Sequence, residues 1–165
     1  METDIGQARN ADVPEIAEIW YAGWCEAHLD SVPDALIAAR PQESFTARAR
    51  TRLADTIVAR SQHGIAGFVM VLGDEVDQMY VAAEQRSSGV AARLLSAAEL
   101  RIAGQGHSRA WLAVVPANAR ARRFYARQGW RDDGWFEHDA PGPDGPVAVA
   151  CHRYVKDLNL PAMRP

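Results

Sequence analysis

Long apolar runs are missing from this sequence. No stretch of about eighteen apolar residues occurs, and the opening METDIGQARN is neither basic nor apolar. Neither a membrane span nor a secretory leader is therefore expected, and the cytoplasm is the expected compartment. Cysteine is scarce as well: Cys25 and Cys151 are the two present, with no CxxC spacing and no His cluster, which argues against a zinc site and against a disulfide framework. Both read as reduced thiols. An excess of positive charge is also lacking. A formal net charge of -3 offers no basic face for displacing counterions from a phosphate backbone, so no nucleic-acid partner is expected.

What is present suits one globular unit. The 165 residues are 48% hydrophobic, enough to close a core without metal or cross-links, and a single domain over residues 1–165 is expected. Residues 5–9 read as a strand. Asp12 as N-cap, with Pro14 just inside, opens a helix whose apolar side carries Val13, Ile16, Ile19 and Trp20 and which is expected to run to about Cys25. Pro33 and Pro41 punctuate the next segment, in which the Arg-rich residues 44–53 read as an exposed helix.

Residues 56–60, 65–72 and 76–81, parted by His63-Gly64 and Gly73-Asp74, spell an antiparallel meander. Val90, Leu94, Leu95, Ala98 and Ile102 then recur at helical spacing until Gly104 and Gly106. A strand at 110–115, a helix at 118–128 and a strand at 130–138 follow, and this strand–helix alternation implies parallel pairing. A loop at 140–146 leads to a last strand at 147–156, and the tail at 161–165 is expected to fray. The class is mixed α/β (α+β), with a twisted sheet of about seven strands and about four helices.

The stretch VAAEQRSSGVAARLL joins the third meander strand to the long helix. Ser87, Ser88 and Gly89 let successive N–H groups face one point, and the helix start adds unpaired N–H groups and the positive end of its dipole. That combination suits a phosphate or diphosphate. It is not a Walker loop, since no Gly-Lys-Ser/Thr follows, nor a Rossmann fingerprint, since the glycines are too few and the strand arrives from a meander. On the loop alone, a plain strand-to-helix turn and a site for another anion such as a nucleotide stay open.

Arg86-Ser87-Ser88-Gly89-Val90-Ala91 resembles the cofactor motif Gln/Arg-x-x-Gly-x-Gly/Ala of the GNAT superfamily of N-acetyltransferases. Met79-Tyr80-Val81 is similar to the family's splayed strand. Downstream, VVPANARARRFYARQGW looks like the family's second half: an Asn after a strand, then a helix carrying Phe-Tyr and ending Gly-aromatic. The likeness spans residues 5–154 and is closest over 76–130.

The resemblance implies a GNAT fold, in which the meander is followed by parallel strands that splay apart, with acetyl-CoA as acetyl donor and no metal. Main-chain groups of Met79, Tyr80 and Val81 would pair with the pantetheine arm. The N–H groups of Ser87, Ser88, Gly89, Val90, Ala91 and Ala92 would hold the diphosphate, with Arg86 or Arg93 adding charge at the rim. Asn118 would contact the arm, cap its helix, or both. Tyr125 would protonate the departing thiolate, the rival reading being a core aromatic beside Phe124.

An ammonium has no lone pair, so some group must first take the amine's proton. Glu75 and Asp77 are the candidates, on a strand whose period-two alternation puts Glu75, Asp77, Met79 and Val81 on one face. His28 or His138 could serve instead, and both carboxylates could be plain surface residues. Other family members keep a glutamate on the following strand, where this chain has Ala113, a departure that weakens any claim of ribosomal-protein acetylation.

By the same resemblance Trp24, His28, Trp135 and His138 are candidates to line the acceptor site, although Trp20 and Trp24, four apart, read first as core. The expected activity is direct acetyl transfer to a primary amine of a small molecule or peptide in a ternary complex. The alternative is an acyl-CoA-binding sensor or partner-binding module without a competent base. A homodimer would be in keeping with the family, through pairing of an exposed last strand across a two-fold axis.

Overall fold

The computed structural model describes residues 2–159, so the tail at 161–165 lies outside the described residues. One sheet organises the chain: β1 (Asp4–Gln7), β2 (Thr56–Ser61), β3 (Gly64–Leu72), β4 (Glu75–Val81), β5 (Arg109–Val114), β6 (Arg131–Ala140) and β7 (Val147–Asp157), in spatial order β1-β2-β3-β4-β5-β7-β6. Among the described residues five α-helices accompany it: α1 (Val13–His28), α2 (Asp34–Ala38), α3 (Gln42–Thr51), α4 (Val90–Gly104) and α5 (Ala119–Arg127). Among the described residues no helix is long and apolar enough to cross a membrane.

The sheet separates two apolar layers. On one face α4 sets Leu94, Leu95, Ala98 and Ile102 against Val69, Val76, Leu112 and Val114, the stripe that its helical spacing announces, and α5 adds Tyr125. On the other face α1 and α3 bring Trp20, Trp24 and Phe45 against Phe68 and Met70. β3 is buried along nearly its whole length because it serves both layers, which is why it reads as a continuous apolar run.

The meander and the parallel contact of β4 with β5 are as expected. Four local expectations need correction. The first helix continues past Cys25 to His28, since no breaker precedes Pro33 and His28 stacks on Trp24 one turn earlier. α3 is not an exposed helix: Phe45 and Ala49, four apart, are fully buried, and the Arg48 guanidinium lies 4.4 Å over the Trp20 ring. The second strand–helix–strand step is not parallel, because β7 inserts between β5 and β6, antiparallel to both. The more apolar of the two strands takes the interior place, and β6, mostly exposed, becomes the edge. Among the described residues β7 is therefore flanked by β5 and β6 from His152 to Val155, and that part of the last strand offers no edge to a two-fold partner.

The fourth correction concerns β4. Val71 pairs with Val76 and Met70 with Gln78, so Asp77 is an extra residue, a bulge that breaks the period-two alternation. Met79 and Val81 pack with Val76 toward α4, whereas Asp77 reaches Arg52 beyond the end of α3. The expected single face for Glu75, Asp77, Met79 and Val81 does not form.

Candidate active site

β4 and β5 pair at one position, Glu75 opposite Trp111, helped by a Trp111 N–H that donates to the Asp74 carbonyl at 3.1 Å. Beyond it the strands part. The main-chain groups of Met79, Tyr80 and Val81 on the β5 side are left without a ladder partner and border a cleft of about 630 Å³ between β4, the turn before α4, and α5. Gly23 on α1 makes room for its wall: a Cβ there would fall 2.3 Å from Cδ1 of Tyr80.

The turn at the cleft's far end has main-chain features that suit an anion. Ser87 and Gly89 both adopt positive φ, 66° and 87°, the left-handed conformation from which main-chain anion nests are built. Gly89 is required for this conformation rather than for space, since no atom lies within 4 Å of where its Cβ would sit. The first α4 hydrogen bond runs from Arg93 N–H to the Gly89 carbonyl, so the amides of Val90, Ala91 and Ala92 lie outside the helical ladder, and no acidic side chain occupies the first turn. Two of the expected donors are partly engaged: Ser88 N–H donates to the Gln85 carbonyl at 3.3 Å, and Val90 N–H meets Ser88 Oγ at 3.4 Å.

Neither expected arginine is free at the rim. Arg86 grips Glu26 of α1 with both terminal nitrogens, and Arg93 donates to Thr3. Arg120, 3.6 Å from the same Glu26, borders the cleft and was not foreseen.

A second cavity of about 320 Å³ lies on the α1/α3 side and shares Ala27, Met79, Tyr80, Asn118, Ala121 and Tyr125 with the first. Tyr125 is thus common to both, although it is 8% exposed and its ring packs against Phe124, Trp130 and Tyr154. Burial raises its phenol above the ordinary tyrosine value, and among the described residues no group bonds its hydroxyl. Asn118 holds both expected positions, bordering the two cavities while its Oδ1 accepts from Ala121 N–H at 3.2 Å to cap α5.

Glu75 borders the smaller cavity, and burial, then the neighbouring charge of Asp77, pushes its carboxyl up to about 7. Asp77 is held by Arg52 at 2.7 Å. His28 and His138 border the same cavity; burial lowers both, and His28 Nδ1 lies 3.1 Å from the Trp24 carbonyl. Trp24 serves as core and lining at once. Trp135 does neither: it is 62% exposed and stands on the opposite face of β6 from His138 and Phe136. Cys151 also borders this cavity, and burial pushes its thiol up to about 11, leaving it protonated near neutrality.

Sequence reasoning missed Arg40, Arg48 and Arg52, which also border the smaller cavity. A signal was present in the Phe45–Ala49 spacing, which fixes the inward side of α3 and carries Arg48 and Arg52 with it.

The acetyltransferase (GNAT) family model matches residues 13–130. An uncharacterized N-acetyltransferase of Mycobacterium tuberculosis is 34% identical over 113 residues, 65% of this chain and 70% of that protein. Among solved structures, a GCN5-related N-acetyltransferase from Rhodopseudomonas palustris superposes with a TM-score of 0.73 at 21% identity, covering 96% of this chain and 97% of that one. A Salmonella typhimurium protein solved with its cofactor acetyl-CoA gives 0.69 at 16% identity over 100% and 99%. These two likenesses are of fold.

Proposed function

The chain belongs to the acetyltransferase (GNAT) family, and on that premise we propose that it moves the acetyl group of acetyl-CoA directly to a primary amine of a small molecule or peptide, with Glu75 as base and Tyr125 as acid. The observation that carries this reading is that the buried Tyr125 lines both the cleft and the smaller cavity. A thioester lying along Met79–Val81, its diphosphate on the amides before α4, would end beside that phenol, while an amine entering by the smaller cavity would meet Glu75.

The reactive thioester supplies the driving force, so the protein's part is orientation and proton transfer. Glu75, with a carboxyl near 7, is half ionised at neutral pH and suits removal of a proton from an ammonium. Asp77, fastened to Arg52, suits that task less and instead helps to raise Glu75. A phenol raised by burial keeps its proton at neutral pH and can give it to the departing thiolate. The protonated Cys151 thiol argues for direct transfer over an acetyl-cysteine route.

Thiol release from acetyl-CoA over a panel of amines tests the reading, with calorimetric binding of acetyl-CoA alongside. Tyr125→Phe is expected to lower kcat by about 10² to 10⁴-fold while acetyl-CoA affinity stays unchanged. Unchanged turnover would remove Tyr125 from the reaction. Tight cofactor binding with no turnover on any amine would favour the non-catalytic sensor instead.

A further inference from the structure

Three guanidinium groups border the smaller cavity, and they are not equally matched. Arg52 donates to Asp77 at 2.7 Å and to Asp55 at 3.0 Å. Arg40 and Arg48 form no ion pair with any carboxylate among the described residues. Arg40, 8% exposed, donates to the main-chain oxygens of Ala39 and Pro141. The Arg48 Cζ lies over Trp20, 4.4 Å from the ring centroid, and 5.3 Å from the Phe45 centroid, and its Nη1 is buried without a hydrogen-bond partner among the described residues.

Contact with the two rings holds the Arg48 guanidinium in place, while the donors of its buried Nη1 stay unpaired among the described residues. A cation held only for packing is a poor choice here, because an apolar side chain of similar volume would fill the space without the cost of burying charge. That cost is visible: burial, then the like charge of Arg40, brings Arg48 down to about 10. The other charged or titratable groups around the cavity do not relieve it. Asp77 attracts Arg48 but is engaged with Arg52, Glu75 is half protonated, the two histidines are lowered by burial, and Asp139 is exposed.

We propose that the acceptor is an amino-acid-sized molecule carrying a carboxylate as well as its amine, the carboxylate seated on Arg48 and Arg40 and the amine facing Glu75 and Tyr125. The inference rests on the catalytic reading above and adds the substrate class. A guanidinium fork matches two carboxylate oxygens, which a lysine would not, and a cavity of about 320 Å³ is at the small end of ligand sites.

The test compares the common L-amino acids and β-alanine with their carboxamides and decarboxylated amines, read as acetyl-CoA-dependent thiol release. The acids are expected to exceed the matching amides in kcat/KM by about 10²-fold or more, as befits a buried charge pair deprived of one partner. Arg48→Gln and, separately, Arg40→Gln should erase most of that preference, chiefly by raising KM for the acids, and Arg48→Lys should restore only part of it. Should Arg48→Gln fail to fold, Arg40→Gln and the wild-type comparison carry the test. Equal use of acids and amides, or turnover confined to uncharged amines, would overturn the inference and leave the catalytic reading standing. Preference for 2-aminoethylphosphonate over β-alanine would overturn the carboxylate assignment. Acetyl-CoA binding without turnover on any amine would overturn both readings together.

Discussion

A carboxyl near 7 makes Glu75 the residue whose state should govern the pH dependence of the reaction. The base acts as a carboxylate, so kcat/KM is expected to rise with pH through about 7. The acceptor's own ammonium adds a second rise at higher pH. Glu75→Gln should remove the lower limb and leave the upper one; a limb that survives would assign the base elsewhere, with His138 next. The same shift has a consequence for stability. Because burial raises Glu75 from 4.5 to about 7, its penalty is absent at low pH and complete above about 7. Glu75→Gln should therefore raise Tm by about 2 to 4 °C near pH 8, the scale of about 1 kcal/mol in a domain of this size, and leave it unchanged at about pH 4. That Tyr125 and Glu75 would border a cavity was legible in sequence, the first from the Phe-Tyr motif of its helix and the second from its place on the third meander strand. Arg48 was not, since an arginine's usual place is the surface and its burial depends on rings supplied by Trp20, far off in the chain.

Elements were legible where one periodicity ruled and failed where two elements had to be weighed against each other. The meander and α4 follow from apolar spacing that each segment carries by itself. The placement of β7 inside β6 could not be read that way, because it is decided by which strand of the hairpin gains more from burial. The bulge at Asp77 is likewise a property of a strand pair, and it matters for the site: without it Asp77 would point toward α4 and Arg52 would keep only Asp55 as its carboxylate partner. Helix α1 contributes through an absence. Gly23 lets the Tyr80 ring, which packs near Phe68, lie against the helix backbone. Replacing it by alanine gains about 0.5 to 1 kcal/mol of helix propensity, yet a contact of 2.3 Å must be relieved at a cost of about 1 to 3 kcal/mol, so strain wins. Gly23→Ala is expected to lower Tm and to raise KM for acetyl-CoA, because Tyr80 borders the cleft. A variant with unaltered KM and Tm would show that the ring can move aside freely.

For the whole molecule, the question is whether the two apolar layers fold as one. They share β3 and the sheet's hydrogen bonds, so no set of strands can be released without exposing both, and unfolding is expected as a single calorimetric transition. The cleft depends on the same continuity. Its walls come from β4, the turn before α4, and α5, three regions whose relative positions are fixed only when the sheet is intact. A ligand that spans them binds the folded chain and not the unfolded one. Acetyl-CoA at a hundred times its Kd should therefore add about 2.7 kcal/mol to the folded state and raise Tm by roughly 5 to 10 °C. The diphosphate is the part that the amides before α4 would hold, so a pantetheine thioester lacking it should give a much smaller shift at the same concentration. Equal shifts from both ligands would mean that the turn from Ser87 to Ala92 holds no anion, and no shift from either would deny the cleft to the donor altogether.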